Sequence, residues 1–196
     1  MTTKKRILEV GARLMHEKGF NNTGLQEILR EAGIAKGSFY FYFKNKEDFG
    51  LQVVDAFFTH FADFAHQYFN DDSLSHVMRI KNFFNEFLDF FVNGDYKGGC
   101  PIGNFTLEMA DVNDKFREQL LLIVDKSTSL VADQILLAQN KGEISNLDNP
   151  HSLAEFIFFT WEGMIMQMKL SRNTIALEQF NYHIFQNLLY KTEKTR

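Results

Sequence analysis

The sequence predicts an all-α protein with a small N-terminal domain and a larger C-terminal domain, both helical. Two observations carry this prediction. The 196 residues include only two prolines, and 45% of them are hydrophobic, with apolar residues recurring at helical spacing. Such a chain forms long, uninterrupted helices that bury much apolar surface. We expect residues 1–45 to form the first domain and residues 46–196 the second.

The first two helices follow from apolar spacing and from their stop signals. Apolar residues recur every three or four positions from about Thr3 until Gly19 ends the first helix. The second helix opens at Thr23, which fits a capping box with Gln26 that satisfies the first free backbone N–H groups. Gly33 ends this helix and forces a tight turn.

A third short helix follows almost at once, so the chain has the order helix, tight turn, helix. Setting residues 100° apart along this helix turns Ala35, Phe39 and Phe43 inward. A short exposed helix of this kind can enter the major groove of DNA, where Lys, Ser and Tyr side chains form hydrogen bonds. The residues that face outward are Lys36, Gly37, Tyr40, Phe41 and Lys44.

The remainder of the chain predicts six further helices. Asn45 can cap the fourth, and Asn149 followed by Pro150 is a suitable start for another. The phenylalanine-rich stripe from Ile80 to Phe91 marks the fifth helix. The others run approximately over Pro101–Asp111, Asp114–Gln139, Pro150–Leu170 and Ala176–Tyr190, and we expect the polar tail Lys191–Arg196 to fray.

Three segments around the third helix resemble the signature of the TetR family of bacterial regulators: Thr23–Ile28, Ala32–Phe43 and Lys44–Glu47. One departure is Leu29, where many members carry a small alanine. The resemblance implies an all-α homodimer whose helix-turn-helix domain binds double-stranded DNA and whose larger domain binds an effector and dimerises. The DNA-contacting residues that it implies are Thr23, Gln26, Lys36, Gly37, Ser38, Tyr40, Tyr42 and Lys46.

The distribution of charge agrees with DNA binding at one end of the molecule. Residues 1–50 hold nine basic and six acidic side chains, a net charge of +3, whereas the remainder carries −7. A basic segment on an acidic body lets only one end approach phosphates. Together with the resemblance, this indicates a ligand-responsive transcriptional repressor, released from a near-palindromic operator by a small apolar or aromatic effector. A transcriptional activator is the alternative that the sequence leaves open.

Candidate effector-binding residues lie in the larger domain, where adaptable thioethers and flat rings suit an apolar ligand. A solid core is the alternative for each of them. Cys100 begins a segment similar to one branch of the family, and it is either a buried, inert thiol or a sensor of electrophiles or oxidants. The candidates are Phe61, Phe64, Phe87, Cys100, Asn104, Glu108, Trp161, Glu162, Met164 and Met168.

Other classes of function find little support in the sequence. It contains no metalloprotease, P-loop, nucleophile-elbow or paired-cysteine motif, so we expect no enzyme, cofactor or metal site. His60, Asp63 and His66 share a helix but point in directions too far apart to hold a metal. The chain has neither a signal peptide nor a membrane span, which favours the cytoplasm. The remaining alternative is a helical ligand-binding protein without specific DNA binding.

Overall fold

The protein is all-α, as predicted. The computed structural model describes residues 2–190, except for the side chain of Phe90, so the tail expected to fray lies outside the described residues. No described helix is long and apolar enough to cross a membrane. Over residues 2–190 the helices are α1 (Thr3–Lys18), α2 (Leu25–Glu31), α3 (Lys36–Tyr42), α4 (Lys46–Phe69), α5 (His76–Asn93), α6 (Pro101–Met109), α7 (Asp114–Asn140), α8 (Pro150–Ser171), α9 (Ile175–Tyr182) and a π-helix (His183–Leu188).

The described residues form two compact units, and the division falls within α4 and within α7. The first unit comprises residues 2–60 and 100–124, and the second comprises residues 61–99 and 125–190. The domain boundary after residue 45 stays a prediction. In the division into compact units, α6 and the start of α7 belong with α1, α2 and α3, a long-range association that helical spacing cannot reveal.

The core of the first unit brings α1, α2, α3 and the start of α4 together. Gly11 allows α1 to pass close to α4, because a Cβ at this position would lie 2.2 Å from Cζ of Phe49. Asn45 caps α4 as predicted, since its Oδ1 accepts a hydrogen bond from the N–H of Asp48 at 2.8 Å. Fully buried side chains that fill this core are Ile7, Ile28, Phe39, Phe43 and Phe49.

Two predicted details of the N-terminal helices are wrong. The capping box is absent: α2 begins after Gly24, and no side chain caps it. The hydroxyl of Thr23 is used elsewhere, since it donates to the carbonyl of Gly19 at 2.7 Å. Ala35 was expected on the inner face of the third helix, but it is the exposed residue immediately before α3, where the backbone is still extended.

The second unit has an aromatic core built by α5, α8 and α9. The Phe84 ring lies between the rings of Trp161 and Phe180, with centroids 5.6 and 5.9 Å away. Arg79 is buried here with its charge compensated, because it donates to the carbonyl of Phe69 at 2.7 Å and to the carboxylate of Asp72 at 3.0 Å. The phenylalanine-rich helices are therefore packed against one another through their rings.

The last helix differs from the prediction of one α-helix over Ala176–Tyr190. The α-helical pattern of α9 ends at Tyr182 and continues as the π-helix. The terminal carbonyls find partners elsewhere: the Asn146 side chain donates to the Leu188 carbonyl at 2.8 Å, and the Asn146 N–H donates to the Leu189 carbonyl at 3.1 Å. Local spacing cannot predict these contacts, since Asn146 lies far away in the sequence.

Candidate DNA-binding surface

The buried side of α3 fixes this helix to the first unit. Phe39 is fully buried, and its ring centroid lies 5.0 Å from that of Phe43 and 5.4 Å from that of Phe49. The turn before α3 is tight, with Gly33 at φ +62° and the N–H of Ile34 donating to the Leu29 carbonyl at 3.0 Å. The opposite face of α3 is consequently presented to solvent by a rigid support.

The exposed face of α3 combines a cation with polar and aromatic groups, as predicted. Lys36, Gly37 and Ser38 are exposed, Tyr40 is 49% exposed and Phe41 is 81% exposed. Within residues 2–190, no carboxylate forms an ion pair with Lys36, whereas many cations of α1 and α2 are paired: Arg13 with Glu17 and Glu31, and Lys18 with Glu27. The charge of Lys36 is therefore available to an anionic partner.

A shallow groove between α2 and α3 brings Gln26 and Lys36 together. Its walls also include Leu25 and Leu29, the residue at which this chain departs from the family signature. Leu29 is buried while Gln26 is exposed, so the larger leucine fills the space beneath the groove and does not displace the polar side chain. The two predicted contact residues from different helices thus line one surface.

Thr23 does not share this exposure. Its side chain is fully buried, with 0% exposure, and its hydroxyl is donated to the Gly19 carbonyl. A buried threonine has no surface that DNA could contact. Its hydrogen bond instead closes the turn between α1 and α2. The DNA contact expected of this side chain is therefore not supported by its position.

Tyr42 and Lys46 lie at the edge of the exposed face. Tyr42 is half-buried, and its ring stands at 90° to that of Phe41 with centroids 4.9 Å apart. The ammonium of Lys46 lies 4.6 Å from the Phe20 ring centroid and 3.4 Å from the Asn21 carbonyl oxygen. Burial lowers the pKa of Lys46, and the carboxylate of Glu108 acts in the opposite direction.

Glu108 has a role that the sequence does not reveal. It was predicted as a polar anchor for an effector, but its carboxylate accepts hydrogen bonds from the backbone N–H groups of Phe20 and Asn21. Its partners lie 87 and 88 positions away in the sequence, so no local pattern signals the contact. Cys100 and Asn104, which were predicted together with it, belong to the same unit; Cys100 is buried directly before α6.

The other predicted effector residues belong to the second unit, where most join its aromatic core. Phe61 and Phe64 both contact the Phe83 ring, at centroid distances of 5.2 and 5.7 Å, and Phe87 contacts Trp161 at 4.9 Å. Met164 and Met168 are buried on α8, whereas Glu162 is half-buried.

Some buried polar atoms of this core have no hydrogen-bond partner among the described residues. The indole N–H of Trp161 makes no hydrogen bond to any described residue. The amide of Asn181 donates to Asn85 at 3.3 Å, but its own oxygen accepts no hydrogen bond within residues 2–190. Across the same residues, no group of three or more His, Cys, Asp or Glu side chains is placed to hold a metal ion.

Comparisons with known proteins match both parts of the chain to one family. Residues 7–53 match the family described as "Bacterial regulatory proteins, tetR family", and residues 77–184 match "Tetracyclin repressor-like, C-terminal domain". The transcriptional regulator AcuR of Cereibacter sphaeroides is 33% identical over 96% of this chain and 86% of its own length. The repressor DhaR of Mycobacterium sp. strain GP1 is 33% identical over 97% of this chain and 94% of its length.

Solved structures agree with the sequence matches. The crystal structure of the regulatory protein TetR from Rhodobacter sphaeroides has a TM-score of 0.85 to this chain, with 34% sequence identity. The similarity covers 92% of this chain and 95% of that protein. The fold and the sequence therefore lead to the same family along almost the whole chain.

Proposed function

Because this chain belongs to the TetR family of bacterial regulatory proteins and is a DNA-binding transcriptional regulator, we propose that it is a repressor released from its operator by a small apolar or aromatic effector. It acts by binding alone, without catalysing a reaction. A protein that regulates transcription in a bacterium works where the chromosome is, in the cytoplasm. DhaR, which resembles this chain over nearly its full length, carries the name of a repressor.

One observation carries the DNA-binding part of the proposal. The exposed face of α3 presents Lys36, which has no ion-pair partner within residues 2–190, next to Ser38 and Tyr40. The buried Phe39 fixes this face from behind. Arginine or lysine and small hydroxyl side chains form the hydrogen bonds by which proteins distinguish base edges and grip phosphates. Gln26 adds a second polar group from α2 across the groove.

The effector would bind in the second unit. Aromatic rings supply the apolar contacts there, and the unpartnered indole N–H of Trp161 supplies one hydrogen-bond donor. A buried donor without a partner costs free energy, which a ligand with a suitable acceptor would recover. We therefore propose an effector that is mainly apolar, carries at least one hydrogen-bond acceptor and fits between aromatic rings.

An exposed apolar stripe on α8 supports the proposal that the protein is a homodimer. Phe156, Phe159, Met166 and Leu170 are each more than half exposed, and their spacing places them on one side of the helix. Gly163 lies within the stripe and is itself exposed, which would allow a partner helix to approach closely. A second copy of the chain, packed through this stripe, would supply two copies of α3 for a near-palindromic operator.

Release would come from a shift between two states of the dimer. The ligand-free dimer holds its two α3 helices at the spacing that fits the operator, and the effector favours another spacing. A ligand must prefer the released state by a few kcal/mol to empty the operator. Burial of one small apolar molecule can supply a free energy of this size.

Fluorescence anisotropy tests the DNA-binding part. The purified protein is titrated against its own upstream DNA and against a scrambled duplex, over a series of salt concentrations. We expect saturable binding that prefers the upstream DNA and weakens steeply with salt, since neutralised phosphates release counterions. Equal, feeble binding to both duplexes would contradict the repressor and favour a helical ligand-binding protein without specific DNA binding.

The effector part has its own signal, because Trp161 is the only tryptophan of the chain. Apolar aromatic compounds with and without a hydrogen-bond acceptor are screened for a change in its fluorescence. The compounds that change it should also release the protein from DNA. Release without any change in fluorescence would place the effector away from Trp161.

A further inference from the structure

The turn between α1 and α2 is held by a carboxylate from α6. Oε1 of Glu108 accepts a hydrogen bond from the backbone N–H of Phe20 at 3.2 Å, and Oε2 accepts one from Asn21 at 3.0 Å. The ring of Phe20 packs on the same helix, with its centroid 6.0 Å from that of Phe105. One short helix therefore fixes both the backbone and the side chain of this turn.

Gly19, which precedes the turn, shows how closely the carboxylate fits. Its φ of +86° is a conformation that residues with side chains rarely adopt. A Cβ on Gly19 would also lie 2.1 Å from Oε1 of Glu108. Only glycine meets both conditions, so the backbone of the turn is shaped to receive the carboxylate.

The same turn supports residues of the DNA-binding surface. Thr23 closes it through the Gly19 carbonyl, and α2, which carries Gln26, starts directly afterwards. The carbonyl of Asn21 also receives the ammonium of Lys46. We propose that Glu108 is a positioning residue for DNA binding, which fixes the turn and thereby sets where Gln26 and Lys46 meet the duplex. This inference rests on the function proposed above.

If Glu108 acted through its charge alone, it would weaken DNA binding, whereas a positioning residue strengthens it. A carboxylate in a unit that approaches phosphates repels them, so neutralising it should strengthen DNA binding. Loss of a positioning contact should weaken DNA binding instead. Asp111, which is exposed just beyond the end of α6, separates these effects, because Asp111→Asn removes the same charge without removing a contact to the turn. The sign of the change in affinity therefore distinguishes positioning from electrostatics.

The experiment compares Glu108→Gln with Asp111→Asn in the full-length protein. Glutamine keeps the volume of the side chain and one acceptor oxygen, and thermal unfolding verifies that both variants are folded. Anisotropy on the upstream duplex should show about tenfold weaker binding for Glu108→Gln, because hydrogen bonds to a charged acceptor are among the stronger ones. Binding by Asp111→Asn should be unchanged or tighter.

Hydrogen exchange provides a readout that does not depend on DNA. NMR should show faster exchange of the Phe20 and Asn21 amide protons in Glu108→Gln, and wild-type rates in Asp111→Asn. The inference is overturned if Glu108→Gln behaves like Asp111→Asn in affinity and exchange. If the wild-type protein shows no preference for its upstream DNA, the proposed function fails, while unchanged exchange at the two amides would still separately overturn the role of Glu108.

Discussion

Helices α3 and α8 both expose aromatic side chains to solvent, and the surroundings of these side chains differ. On α3, Tyr40 and Phe41 stand beside the cation Lys36 and the hydroxyl of Ser38. On α8, the exposed residues Phe156, Phe159, Met166 and Leu170 form an apolar stripe without a charged residue among them. Exposed rings therefore do not by themselves specify a partner. The groups between them determine which partner can bind.

A duplex fits the first surface, and we propose that a second copy of the chain fits the other. Phosphates and base edges require charged and polar groups, which α3 provides around its rings. A large exposed apolar stripe is costly in water and is typical of a protein–protein interface. The two surfaces also depend on each other, because only a dimer presents two copies of α3 to one operator.

The largest effect is expected from a charge within the α8 stripe. Phe159→Asp buries a carboxylate at the proposed dimer contact, so the protein should become monomeric in sedimentation experiments. Operator affinity should fall by about 100-fold, because the second α3 loses the high effective concentration that linkage provides. The monomer should retain its helical content in circular dichroism.

Phe159→Leu is the matched control for this prediction. Leucine keeps an apolar side chain at the same position, so the dimer and operator binding should both survive. If Phe159→Asp remained dimeric and bound DNA normally, the stripe would not be the contact between subunits. The exposed stripe of α8 would then have no assigned partner.

A smaller effect is expected from removing the unpaired cation of α3. Lys36→Ala should weaken binding to the upstream duplex about tenfold and reduce the preference over scrambled DNA, since a base contact is worth about 1–3 kcal/mol. Lys141→Ala removes the same charge from an exposed site after α7 and should change neither quantity. An equal loss in both variants would mean that general attraction, and not a contact made by α3, accounts for the affinity.

The sequence predicts the exposed face of α3 well and the support of that face incompletely. Helical spacing together with the family resemblance correctly turned Lys36 and Tyr40 outward and Phe39 inward. The same resemblance suggested a DNA contact for Thr23, whose side chain is fully buried. Short-range spacing captures which side of one helix faces solvent, but it does not capture a hydroxyl that closes a neighbouring turn.

Long-range contacts mark the limit of sequence reasoning. The carboxylate of Glu108 and the turn at Phe20 are 88 residues apart, and no local pattern connects them. In the second unit, the sequence left open whether the phenylalanines and Trp161 line an effector pocket or form a solid core, because the apolar stripes of helices suit both. Which buried group lacks a partner depends on the three-dimensional packing, and only the structure identifies the Trp161 indole.

The smallest effect on operator affinity is expected from removing a single ring, that of Phe41. This side chain is 81% exposed, so Phe41→Ser should leave the melting temperature unchanged, as should the control Tyr182→Ser on α9. Operator affinity should fall severalfold in Phe41→Ser alone, because an apolar ring on α3 can pack against thymine methyl groups. The salt dependence should stay the same, since no charge is removed. If Phe41→Ser bound DNA normally but associated differently in sedimentation, the ring would contact protein, as we propose for the stripe on α8.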